Sequence, residues 1–125
     1  MYTEEVIEKK IEQAHAANLT GAELLDDRER AMRVCNGIGA AWMPEWMRDT
    51  ISQSFPALVV VAFIHDIHYE AGGGVLDRWK ADWTFLANGF RMAIFTRNPR
   101  VIYWTLLMWI FLRAGGAAAF HWRTK

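Results

Sequence analysis

The run His65-Asp66-Ile67-His68-Tyr69-Glu70 places two imidazoles, two carboxylates and a phenol in six consecutive residues. It follows an apolar stretch, Ala57 to Ile64, and precedes a triple glycine, Gly72 to Gly74. A Gly-x-Gly segment, Cys35-Asn36-Gly37-Ile38-Gly39, lies upstream, and an acid, Asp82, lies downstream. A neutral imidazole can take a proton from water. A carboxylate beside it, together with backbone carbonyls from a glycine turn, can hold Ca2+, which takes oxygen ligands in a flexible shell. An ion so placed polarises an ester carbonyl, and a further acid can orient the imidazole. The chemistry these residue types could carry together is calcium-dependent acyl hydrolysis.

That chemistry needs elements to position it. On a helix, His65 and Tyr69 are four apart and share a face, while Asp66 is turned by about 100° toward a different neighbour. One helical turn can therefore aim a base at substrate and a ligand at a loop. The midpoint of residues 65 and 82 falls inside the Gly72–Gly74 turn. Two antiparallel helices joined there would bring His65 and Asp82 level, each about 9–10 Å from the turn at 1.5 Å per residue. His65 could then donate one ring N–H to Asp82 and keep the other nitrogen as a base. Asp77 is too near the turn to do this. Paired glycines destabilise helix and strand alike, so Cys35 to Gly39 is expected to be a loop. The alternating carbonyls of Cys35, Gly37 and Gly39 could face one point, where Asp66 would add its carboxylate.

These residues resemble the phospholipase A2 superfamily. His65, Asp66 and Tyr69 match its His-Asp-x-x-Tyr helix motif, Cys35-Asn36-Gly37-Ile38-Gly39 matches its x-x-Gly-x-Gly calcium loop, and Asp82 matches the acid of its antiparallel helix. The resemblance covers about residues 33–90. It implies hydrolysis of the sn-2 ester of glycerophospholipids. His65 would activate water, Asp82 would orient His65, and Tyr69 would hydrogen-bond at the same site. Asp66 and the carbonyls of Cys35, Gly37 and Gly39 would bind Ca2+, and the Gly37 amide would help hold the oxyanion. Secreted members carry several disulfides, whereas the single cysteine here allows no intrachain one. The chain looks more like the compact disulfide-free versions of parvovirus capsid proteins and some bacterial or phage proteins. Cys35 stands where tyrosine is frequent, a mild departure because only its carbonyl is used.

Around this core the pattern predicts an all-α single domain over 1–125. Thr3 can cap a first helix with an apolar stripe of Val6, Ile7, Ile11, Ala14 and Ala17. Thr20-Gly21-Ala22-Glu23 reads as a capping box for a second helix to about Arg33, with Leu24, Leu25, Ala31 and Met32 inward. Pro44 suits the start of a short helix through Trp46 and Met47. Val59 to Val61 favour a strand on propensity, but the run continues through His65 to Ala71, and a helix over about 56–71 is expected. Val75 to about Thr96 reads as a long helix with Leu76, Trp79, Trp83, Leu86, Phe90 and Ile94 inward, broken by Arg97-Asn98-Pro99. Val101 to Leu112 is apolar all round, and the segment to Trp122 is expected to meet a membrane or another subunit. With Arg113 inside it would reach the length of a membrane span; alone it is too short.

The net charge is zero, but its distribution is uneven. Residues 1–30 carry eight acids and four bases; from Arg91 onward there are six bases and no acid. A basic, Trp-rich end suits an anionic membrane, although a solvated helix end is the simpler reading of charge alone. The acidic start is no secretory signal, so synthesis in the cytoplasm and association with a membrane or particle are expected. Nothing supports nucleic-acid or nucleotide binding. Ser52 and Ser54 lack a nucleophile elbow. Two rival readings stay open. In one, His65, Asp66, His68 and Glu70 bind a transition metal with His15 or Asp82. In the other, the chain is a non-catalytic membrane or assembly module, joined to an oligomer or particle through 101–122.

Overall fold

The stretch Ala57–Ala71 is a helix despite its three valines, because it is buried on every side rather than on one alternating face. The computed structural model describes residues 4–37, 46, 57–118 and 120–122, with the backbone alone at 33–37 and 118. Among them the chain is all-α. In order come α1 (Glu4–Ala16), a 3-10 turn (Ala22–Asp26), α2 (Arg28–Gly37), α3 (Ala57–Ala71), α4 (Val75–Thr96), α5 (Arg100–Gly115) and a last 3-10 turn (Gly116–Ala118). No β-strand occurs among the described residues; Gly73 and Trp122 form an isolated bridge. The expected caps at Thr3 and Pro44, and the start at Pro56, lie outside the described residues.

Helix α3 is the centre of the fold. α1, the first 3-10 turn, α2 and α4 all pack against it, while α5 packs chiefly against α4. Ile7, Ile11 and Ala14 of α1 bury the expected stripe, but Val6 is exposed. The capping box at Thr20 does not form. Gly21 adopts a left-handed conformation (φ 89°) without a side-chain cap, and only a short 3-10 turn follows. The Thr20 N–H instead donates to Asn88 Oδ1 at 2.9 Å, and Asn88 Nδ2 donates back to the Thr20 carbonyl at 2.9 Å. The α-helix starts later, where Asp27 Oδ1 accepts from the Arg30 N–H.

The chain reverses twice. Between α3 and α4 the contacts pair Tyr69 with Arg78 and His65 with Phe85, so numbers fall on one helix as they rise on the other. Between α4 and α5 they pair Trp79 with Arg113 and Trp83 with Trp109. Both pairs are antiparallel. Gly72 (φ 67°) and Gly73 (φ 133°) make the first reversal in backbone conformations that favour glycine. Arg97, left-handed at φ 56°, ends α4 by donating its N–H to the carbonyls of Ala93 and Ile94.

One expectation is overturned. The residues expected to face inward on α4 face outward: Leu76, Trp79, Trp83, Phe90 and Ile94 are exposed, and Leu86 is half-buried. The buried face holds Ala81, Asp82, Phe85, Asn88, Gly89, Met92 and Ala93. Two causes combine. Asp82 and Asn88 find their polar partners only inside, and small residues let the neighbouring helix approach closely. A Cβ on Gly89 would clash with the Thr105 side chain of α5. Helix α5 buries Val101, Thr105, Met108 and Leu112. Thr105 is thus turned inward, where its Oγ1 donates to the Val101 carbonyl at 2.6 Å. No helix among the described residues is long and apolar enough to cross a membrane.

Candidate functional site

The antiparallel pair α3–α4 brings His65 and Asp82 into contact. His65 Nε2 lies 3.0 Å from Asp82 Oδ1, and both side chains are wholly buried. Tyr69, one turn beyond His65, donates its hydroxyl to the same oxygen at 2.7 Å. The His65 and Tyr69 rings stack tilted at 4.0 Å, and Phe85 meets His65 edge-on.

Two arginines that the sequence reading did not place complete the cluster. Arg113 of α5 donates Nη1 to Asp82 Oδ2 and lies over the Trp79 ring at 3.6 Å. Arg78 donates Nε to the Tyr69 hydroxyl at 3.2 Å and sits 3.9 Å from Asp82 Oδ2. Its Nη2 donates to the carbonyls of Leu112 and Arg113 at 3.0 and 3.2 Å. These carbonyls belong to the last turn of α5, where intrahelical donors run out. Arg113, read from the sequence only as a charge inside the apolar segment, is thus the partner of Asp82. A buried carboxylate needs counter-charge more than a guanidinium needs water. The signal was present: a lone cation ending a twelve-residue apolar run calls for a buried anion.

These contacts set the protonation states. Burial alone would raise the Asp82 carboxyl, but hydrogen bonds from His65, Tyr69 and Arg113 outweigh it and hold Asp82 below the usual carboxylate range. Burial lowers His65, against the opposing pull of Asp82. Burial and the bond to Asp82 push the Tyr69 phenol well up. At neutral pH Asp82 is thus an anion that only accepts, and His65 is neutral. The Nε2 facing Asp82 must then carry the hydrogen, which leaves the lone pair on Nδ1. That nitrogen is buried from solvent.

The tail closes over the Tyr69 end of the cluster. The His121 N–H donates to the Tyr69 carbonyl, and the Gly73 N–H donates to the His121 carbonyl, each at 3.1 Å. Phe120 meets the Tyr69 ring edge-on at 5.0 Å. A Cβ on Gly116 would lie 2.8 Å from the Tyr69 hydroxyl, so glycine is required for this approach.

Of the expected cation ligands, Cys35 and Gly37 lie on α2 and Asp66 on α3. Asp66 is almost buried. Cys35 and Gly37 are not in a loop; helix α2 runs through Gly37. Glycine costs least at a helix C-terminus, where it commonly ends the helix. In a helix, residues two apart point about 200° from one another, so alternation does not converge the Cys35 and Gly37 carbonyls. They do lie in the final turn, where carbonyls lack intrahelical donors and the helix dipole is negative. The convergent carbonyl set expected at Cys35 and Gly37 is nonetheless not formed within helix α2. Gly39 lies outside the described residues, as does any loop it forms.

The transition-metal set is not assembled. His15 pairs with Asp26 at 2.9 Å, Glu70 lies 3.7 Å from Arg30, and His68 lines a cleft of about 350 Å³ with Asp77, Lys80 and Thr84. Among the described residues no three His, Cys, Asp or Glu side chains converge to hold a metal ion. Comparison of the chain with protein-family models, curated proteins and solved structures found no match.

Proposed function

We propose that this chain hydrolyses the sn-2 ester of glycerophospholipids, with His65 as the base that activates water and Asp82 as the residue that orients it. The observation that carries this reading is the buried His65–Asp82 contact, with the imidazole neutral and the carboxylate ionised.

The steps follow from the proton inventory. His65 Nδ1 takes a proton from water as the water oxygen attacks the ester carbonyl. The imidazolium formed is stabilised by the Asp82 anion against Nε2. Tyr69 and Arg113 hold that anion in place, so the ring keeps one orientation and one tautomer. Collapse breaks the acyl C–O bond, and the proton on Nδ1 passes to the departing lysophospholipid alkoxide. Calcium bound at Asp66 would supply positive charge to the ester carbonyl oxygen.

A second reading is favoured by one observation, the burial of Nδ1. A base shut from solvent can belong to a chain that keeps the helix pair as a framework and only binds membranes or partners. Release of fatty acid from mixed phospholipid vesicles separates the two. Calcium-dependent release by wild type and none by His65→Gln supports hydrolysis. Vesicle binding without release by either protein supports the framework reading.

A further inference from the structure

We infer that the outer face of α4 and α5 is a docking surface for an anionic phospholipid bilayer. The inference rests on the proposed lipid chemistry for its sense but on separate residues for its evidence. Leu76 and Ile94 of α4 are each 77% exposed, Ile110 of α5 59% and Trp83 55%. Trp79 and Leu106 are exposed as well. Leu76, Trp79, Trp83 and Ile94 recur at helical spacing along one side of α4, away from its buried face. The seam between the helices does not interrupt this side, because the Trp83 ring meets Trp109 of α5 at 5.8 Å. The result is one apolar, Trp-containing face two helices wide, larger than the scattered apolar residues of an ordinary surface.

Charge selects the occupant. Asp82 is the last acid in the sequence, so the rest of α4 and all of α5 contain none. Asp82 itself is buried under Arg113. At the corner where α4 passes into α5, Arg97 and Arg100 are exposed beside Ile94, and Lys80 is exposed near the other end. A second copy docked through this face would bring Lys80, Arg97 and Arg100 against a single acid, Asp77, which sits beside Leu76 and Trp79. A bilayer of anionic lipid offers both an apolar interior for the aromatic and aliphatic side chains and phosphates for the arginines. Tryptophan favours that boundary. Lying flat needs no spanning length, which agrees with the absence of such a helix among the described residues.

The test uses the full chain with vesicles of ether-linked phospholipid, which cannot be hydrolysed, in excess chelator. One set is phosphatidylcholine alone; the other contains phosphatidylglycerol. Co-sedimentation should be about tenfold stronger on the anionic vesicles, with a blue shift of tryptophan emission. Leu76→Ser/Ile94→Ser/Ile110→Ser replaces only exposed side chains and should keep the wild-type melting curve while losing binding to both sets. Arg97→Gln/Arg100→Gln should lose the anionic preference. Unchanged binding by the folded triple variant would overturn the inference. So would concentration-dependent dimers in light scattering that the triple variant abolishes, with no vesicle binding by wild type, since a second copy would then be the occupant. Binding to ester-linked vesicles without fatty acid release would leave docking supported and remove the hydrolytic reading.

Discussion

Replacing Asp82 by asparagine keeps its shape and removes its charge, and the surroundings make that change severe. Every group facing the carboxylate is a donor: His65 Nε2 and the Tyr69 hydroxyl on one oxygen, Arg113 on the other, with Arg78 at 3.9 Å. Whichever way the amide is turned, its NH2 meets a donor. If it faces Arg113, two half-buried cations lose their anion. If it faces His65, the ring must accept, which moves its hydrogen to Nδ1 and removes the base. Breaking a buried charge pair by removing one partner costs about 3–5 kcal/mol. For a chain of this size that lowers Tm by about 10–20 °C. Turnover should fall by about 10²–10⁴, the range for loss of a general base or its tautomer. Calcium affinity should be nearly unchanged, because Asp82 is not a proposed ligand. Scanning calorimetry in chelator reads the first effect, fatty acid release the second and calorimetric calcium titration the third. The double variant Asp82→Asn/Arg113→Met should cost less than the sum of its singles by about 1 kcal/mol or more. A Tm for Asp82→Asn within about 2 °C of wild type would refute the reasoning, because a change that small is outside the range for a broken buried pair.

Three other outcomes follow from the same contacts. The folded-state pKa values of His65, His68 and Asp82 all lie below their ordinary values. At a pH between folded and unfolded values the unfolded chain binds more protons, so stability falls as pH falls. The two histidines should cause a first loss below about pH 6.5 and Asp82 a second below about pH 4. Urea midpoints measured in chelator from about pH 8 to about pH 2.5 check this, and a midpoint that rises on acidification contradicts it. Asn88→Ala leaves the Thr20 N–H and carbonyl without their side-chain partner, at a cost of about 1–3 kcal/mol, read as a lower urea midpoint with an unchanged slope. Asp66→Asn should weaken calcium binding about tenfold or more from a wild-type Kd of about 10⁻⁴ to 10⁻³ M, since one carboxylate and neutral carbonyls make a weak site. Equal titration curves for the two proteins would remove Asp66 from the ligand set.

The sequence made the helix pair legible because three signals agreed there. Gly72 to Gly74 forced a reversal, the length of each flanking run suited a helix, and His65 and Asp82 stood at equal distance from the turn. The burial of α4 was not legible. Its large side chains, Leu76, Trp79, Trp83, Phe90 and Ile94, carry the stronger apolar periodicity, yet the fold buries the face with Asp82, Asn88 and Gly89. Periodicity reports where apolar area lies; it does not report that a carboxylate has two guanidiniums waiting for it, or that a glycine lets another helix approach. Arg113 was misread for the same reason, as the end of an apolar segment rather than the partner of Asp82. At the Gly-x-Gly segment, composition argued for a loop, but Cys35 to Gly37 close a helix, because glycine serves a C-terminus as readily as a turn.

The central claim is that His65, oriented by Asp82, activates water against one particular ester bond. A phospholipid carrying different acyl chains at sn-1 and sn-2, presented in anionic vesicles, tests it most directly when the products are weighed by mass spectrometry. In millimolar calcium the wild type should release the sn-2 acid and leave the matching lysophospholipid; His65→Gln should release neither, and excess chelator should silence the wild type. No acid from the wild type in calcium, or equal release by His65→Gln, would contradict the account.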